Sequence, residues 1–96
     1  MDIIIAYDIA TRTKDGERRL GRVASVCERY GSRVQYSLFE CRLSESRFIK
    51  LQAELEEVID VNEDCVLLYR FEKPLKKVKV TMGVGSCRDI GTPWII

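Results

Sequence analysis

Few residues in this chain have the types and spacing that could do chemistry. Asp8 closes an otherwise apolar run, Ile3-Ile4-Ile5-Ala6-Tyr7, where a carboxylate costs desolvation energy that a partner must offset. Either it caps the following loop or pairs with a local arginine, or it is a ligand for a divalent cation. One carboxylate supplies too few oxygens for Mg²⁺ or Mn²⁺, which take about six. Two copies of the chain about a dimer axis, with water, backbone carbonyl and phosphate oxygens, would supply enough. Arg18, Arg22 and Arg29 fall within about 40° of one another around a helix of 3.6 residues per turn. Such a stripe is either a solvated face balanced by Glu17 and Glu28 or a phosphate grip, to which the guanidinium fork is matched. Arg33 and the run Lys73, Lys76, Lys77 and Lys79 extend the basic track. Phe39, sharing a strand face with Ser37 and Arg33, is placed to stack a base or to form interface core.

Composition narrows the chemistry further. The 96 residues contain no histidine, which removes Ser-His-Asp and Cys-His nucleophile pairs, imidazole bases and His-ligated metals. Cys27, Cys41, Cys65 and Cys87 form no CxxC pair and read as reduced thiols used as small core residues. Sixteen basic and fifteen acidic side chains leave a formal net charge of +1, but they are segregated. Bases dominate residues 11–33 and 73–79, whereas Glu54, Glu56, Glu57, Asp60, Glu63 and Asp64 crowd one segment without a base. A basic face opposite an acidic one permits phosphate binding without a high isoelectric point. No apolar run reaches membrane-spanning length, and the N-terminus lacks the features of a signal peptide, so no membrane partner and a cytoplasmic location are expected.

The elements that position these residues follow from periodicity. Ile3 to Ile9 predicts a buried strand running into a polar loop that ends at Gly16. Leu20, Val23, Ala24, Cys27 and Tyr30 recur at helical spacing over 17–30, with Gly31 in the place of a C-cap glycine. Residues 33–43 alternate, Val34, Tyr36 and Leu38 pointing one way and Arg33, Gln35, Ser37, Phe39 and Cys41 the other. They contain no Gly, Pro or Asn to turn a hairpin, so the segment is either a hairpin or one long strand bent near Glu40. Ser44 predicts the N-cap of a second helix over 45–60, with an apolar stripe of Phe48, Leu51, Leu55, Val58 and Ile59. A strand over 65–71, apolar on both faces, and a shorter alternating strand over 77–81 complete the pattern. The order fits an α+β, ferredoxin-like sandwich with two helices on one face of an antiparallel sheet. Residues 1–82 form the domain, and 83–96 form a tail whose Trp94-Ile95-Ile96 end is an extra strand for a partner subunit. The bare sheet face predicts a homodimer with the two sheets face to face.

Ala6-Tyr7-Asp8-Ile9, the arginine-rich first helix and Gly31-Ser-Arg-Val-Gln-Tyr-Ser-Leu-Phe-Glu40, followed by Leu43-Ser44, resemble the CRISPR-associated protein two family over residues 1 to about 81. The resemblance implies a ferredoxin-like homodimer in which Asp8 meets its symmetry mate and binds Mg²⁺ or Mn²⁺. It implies metal-dependent hydrolysis of phosphodiesters in single-stranded RNA or double-stranded DNA, in spacer acquisition and antiviral defence. The alternative role in the same family is a non-catalytic DNA-binding scaffold bridging CRISPR integrase subunits. By position, Tyr7 and Asp8 match the active-strand pair, and Arg33 and Phe39 match the family's Arg and Phe on the second strand, with Ser37 beside them. Arg22 matches one basic helix position and either Arg18 or Arg19 the other.

Overall fold

The computed structural model describes residues 1–83. The expected strand over 94–96, most of the tail and Cys87 lie outside them.

Seven elements follow one another: β1 (Asp2–Asp8), α1 (Lys14–Tyr30), β2 (Gly31–Gln35), β3 (Leu38–Arg42), α2 (Glu45–Val58), β4 (Cys65–Phe71) and the single turn α3 (Leu75–Val78). The strands form one sheet in the order β2-β3-β1-β4, every neighbouring pair antiparallel. This is the ferredoxin-like topology. Period-2 alternation sends Ile3, Ile5 and Tyr7 to the helix side, where they join Phe39, Cys41, Val23, Val26, Cys27, Phe48, Leu51 and Leu55 in a single core. Ile4 and Ala6 face the other way, with Leu38 beside Ala6 on β3 and Tyr69 and Leu67 beside them on β4. Leu67 and Tyr69 keep about half their surface in solvent, 48% and 51%, so this face is open and largely apolar around Ala6, with Glu40, paired to Ile4 and bonded by Lys79, at its border.

Several expectations are corrected. α1 begins at Lys14, because Thr13 caps it by accepting the Gly16 N–H at 3.0 Å. Gly31 does not turn left-handed. Its backbone is extended, and a Cβ there would lie 2.3 Å from the Glu40 carbonyl oxygen and 2.4 Å from the Cys41 sulfur. Residues 33–43 are a hairpin, turned at Tyr36 and Ser37 without a glycine, with a register irregularity between Arg33 and Gln35. That irregularity breaks the alternation read across the whole segment. The strand expected over 77–81 is replaced by α3, whose Leu75 N–H donates to the Asp2 carboxylate at 2.7 Å. Of the cysteines, Cys27 and Cys41 are core thiols, pushed by burial up to about 12 and about 11 respectively. Cys65 is exposed. Among the described residues no helix is long and apolar enough to cross a membrane.

Two glycines in α1 make opposite predictions. A Cβ at Gly16 would stand 1.9 Å from the Ala10 carbonyl oxygen, whereas one at Gly21 would meet nothing within 4 Å. Gly16→Ala is expected to lose about 1–3 kcal/mol by forced displacement, and Gly21→Ala to gain about 0.5–1 kcal/mol of helix propensity. Urea unfolding of the two variants checks this, and equal midpoints would refute it. A second expectation concerns acid. The hydrogen bond from Arg42, then that from the Leu75 N–H, hold the Asp2 carboxyl down to about 2 from an ordinary 3.8. The stabilisation this carboxylate gives is complete above pH 3.8 and fades as the pH falls through about 2. Asp2→Asn is therefore expected to flatten the acid limb of the stability curve, measured by circular dichroism across that interval.

Candidate active strand and arginine groove

Asp8 is the last residue of β1 and is exposed. It pairs in register with Cys65 on β4, and its alternation with Ile4 and Ala6 puts it at the border of the open sheet face. The desolvation expected from its apolar strand is therefore absent within one chain, because the strand ends at the surface. Tyr7, one residue earlier, points into the core and is 6% exposed. Burial pushes its phenol above the ordinary range. Its hydroxyl donates to the Tyr36 carbonyl oxygen at 3.2 Å, and its backbone N–H donates to that of Ser37 at 3.1 Å.

Tyr7, Phe39 and Arg33 are brought together, but on the helix side of the sheet. The Tyr7 and Phe39 rings stack at 6.2 Å between centroids, and the Arg33 guanidinium lies 5.1 Å from the Phe39 centroid. Phe39 is fully buried, which corrects both readings of it: its ring has no face left for a base or for a partner subunit. Arg33 also pairs with Glu28 at 3.4 Å, so its charge is already met inside the chain.

The basic helix divides in the same way. Arg19 turns inward, its Nε donating to Asp64 Oδ2 at 2.8 Å and a second nitrogen to Oδ1 at 3.4 Å. The Asp64 side chain is completely buried and also accepts the backbone N–H groups of Ala10 at 3.0 Å and Asp60 at 2.9 Å. Burial pushes this carboxyl up, but Arg19 and the two N–H groups more than offset it and hold it below its ordinary value. Of the two candidates for the second helix position, Arg18 is therefore the one whose guanidinium faces solvent, with only a loose 3.6 Å contact to Asp15. Arg18, Arg22 and Arg29 do share a face: with Gly21, Ser25 and Val58 they line a shallow groove of about 580 Å³. Arg29 is tied to Glu54 at 3.0 Å, and Tyr30 donates to the same carboxylate, whereas Arg22 is exposed. The groove is on the helix layer and Asp8 is on the open side of the sheet, so one chain does not surround Asp8 with guanidinium groups.

With this geometry in hand, the profile described as CRISPR associated protein Cas2 matches residues 1–77. The chain belongs to the Cas2 family. A relative named CRISPR-associated endoribonuclease Cas2 1, from Moorella thermoacetica, is 40% identical over 96 residues, 100% of both chains. One named CRISPR-associated endonuclease Cas2, from Halalkalibacterium halodurans, is 35% identical over 95 residues, 99% of each. The crystal structure of Streptococcus pyogenes Cas2 aligns with a TM-score of 0.77 at 35% identity, covering 86% of this chain and 100% of that one. Within this Cas2 chain, the residue that sequence reasoning missed is Asp64. Its signal is its place: it immediately precedes β4, whose first residue pairs with Asp8, yet in the sequence it merges into the acidic run.

Asp64→Ala would leave Arg19 and two backbone N–H groups without their acceptor, and a buried pair broken on one side is strongly destabilising. The expected outcome is a greater loss of thermal stability than in Asp64→Asn, together with faster hydrogen exchange at the Ala10 amide. Unchanged protection of that amide would show that the carboxylate does not hold the loop after β1.

Proposed function

We propose that this protein is a divalent-metal-dependent endonuclease of CRISPR spacer acquisition and antiviral defence, acting in the cytoplasm as a homodimer on single-stranded RNA or double-stranded DNA. The observation that carries the reading is Asp8, an exposed carboxylate at the end of an apolar strand and at the rim of an uncovered apolar face. Relatives named as endoribonuclease and endonuclease support the reaction class.

Among the described residues of one chain no group of three or more His, Cys, Asp or Glu could hold an ion. Two Asp8 carboxylates brought to a shared axis would, with water and phosphate oxygens, form the hard oxygen set that Mg²⁺ or Mn²⁺ prefers. Ile4, Ala6, Leu38, Leu67 and Tyr69 are the apolar surface a second copy would cover, and burying it would carry the two Asp8 side chains toward each other. A cation held there by the two Asp8 carboxylates would lower the pKa of water and neutralise charge on the phosphoryl oxygens. The chain has no imidazole to serve as base. Arg18 and Arg22 bind the nucleic-acid backbone. Arg19 and Arg33 act from behind: Arg19 fixes α1 and the loop after Asp8 through Asp64, and Arg33 braces Phe39 and Tyr7 beneath the strand.

A second reading is favoured by the separation of the arginine groove from Asp8. In it the dimer is a scaffold whose grooves track duplex DNA between integrase subunits, and Asp8 takes no part in binding.

Asp8→Ala is expected to reduce Mg²⁺- or Mn²⁺-dependent cleavage to background while the dimer stays folded. Retained cleavage by a highly purified Asp8→Ala preparation would reject Asp8 as the ligand, and cleavage absent from the wild type as well would leave the scaffold reading. Arg18→Ala and Arg22→Ala are each expected to lower the slope of log affinity against log salt by about 1, read by titration at several ionic strengths.

A further inference from the structure

The β2–β3 turn carries an aromatic side chain that the sequence pattern did not single out. Ala6 pairs with Leu38, and the Tyr7 N–H donates to the Ser37 carbonyl oxygen at 3.1 Å. The turn residues Tyr36 and Ser37 therefore stand at the end of the sheet where β1 reaches Asp8. The Tyr36 carbonyl oxygen accepts the Tyr7 hydroxyl at 3.2 Å, so both turn residues are fastened to the residue that precedes Asp8. Tyr7 is itself locked in the core by its stack on Phe39. The backbone of Tyr36 is thus held in place while 59% of the residue stays in solvent. Phe39, the aromatic on the neighbouring strand, is 0% exposed. An exposed aromatic residue on a fixed backbone, at the same end of the sheet as the carboxylate, contributes little to the core but offers a flat apolar face to a nucleotide.

Building on the nuclease reading above, we propose that Tyr36 is a stacking platform for one base of the nucleotide next to the phosphate at Asp8. Stacking on a tyrosine ring is tolerant of base identity. It needs a base whose face is open, which a single strand offers and an intact duplex does not. Tyr36 therefore biases the site toward unpaired nucleotides, in contrast to the arginine groove, which meets only backbone.

The test compares wild type, Tyr36→Phe, Tyr36→Ala and Asp8→Ala, as full-length proteins, in binding to a single-stranded oligoribonucleotide carrying 2-aminopurine and to the same sequence as a duplex. Tyr36→Ala is expected to weaken single-strand binding by about five- to a hundredfold, the loss of one base stack, and to abolish quenching of the 2-aminopurine. Tyr36→Phe retains both, and duplex affinity is the same in the wild type and the two Tyr36 variants, whereas Asp8→Ala weakens single strand and duplex alike by loosening the hold on the phosphate. Equal single-strand affinity in Tyr36→Ala and wild type overturns the proposal. So does an equal loss on single strand and duplex, or a Tyr36→Ala protein that no longer dimerises by light scattering, since the side chain would then serve assembly. If the wild type cuts duplex DNA but neither binds nor cuts single strands, the stacking role falls and the nuclease reading stands; if it cuts neither, both fall. If the wild type cuts and Tyr36→Ala cuts and binds equally well, only the stacking role falls.

Discussion

Asp64 is the constraint on which the rest of the arrangement depends. A carboxylate without exposed surface must have its oxygens filled, and here the donors come from three separate stretches of chain: the loop after β1, helix α1 and the α2–β4 connection. Satisfying one acid therefore fixes three segments relative to one another. Asp2 does the same at the opposite end of β1, joining β3 through Arg42 and α3 through Leu75. The first strand is held near both ends by acids turned inward. Asp8, the third acid in this neighbourhood, is left exposed at the strand end.

This division explains which parts of the molecule were legible beforehand. Helical spacing located α2, and Ser44 marked its start by accepting the Arg47 N–H. The strand over 65–71 was read with its observed bounds, because its apolar and turn signals are local. Asp8 was legible for the same reason, as a charge breaking an apolar run. What escaped was set by distant partners. Tyr36 and Ser37 include none of the Gly, Pro, Asn or Asp that most strongly mark a hairpin turn, and Tyr7, 29 residues away from Tyr36, bonds its carbonyl oxygen. The choice between Arg18 and Arg19 depends on Asp64, 45 residues away from Arg19. α3 replaces the expected strand where the Asp2 carboxylate receives the Leu75 N–H across 73 residues.

Burial also re-sorts the residues gathered by family resemblance. Tyr7, Phe39 and Arg33 form a stacked column beneath the sheet, where a ring and a guanidinium gain packing and cation–π attraction. Motif membership and contact with a substrate are therefore different properties. Here Tyr7, Phe39 and Arg33 pack beneath β1 and hold the neighbouring turn in place. The open face and the arginine groove are the surfaces left for binding, and they are on opposite layers of the molecule.

The irregularity in β2 carries a consequence for solution behaviour. β2 is the outermost strand on its side, only five residues long, and its ladder slips between Arg33 and Gln35. A short, kinked margin with a charged side chain offers no straight row of amides for another molecule to extend. Edge-to-edge pairing with another molecule is therefore disfavoured along that border.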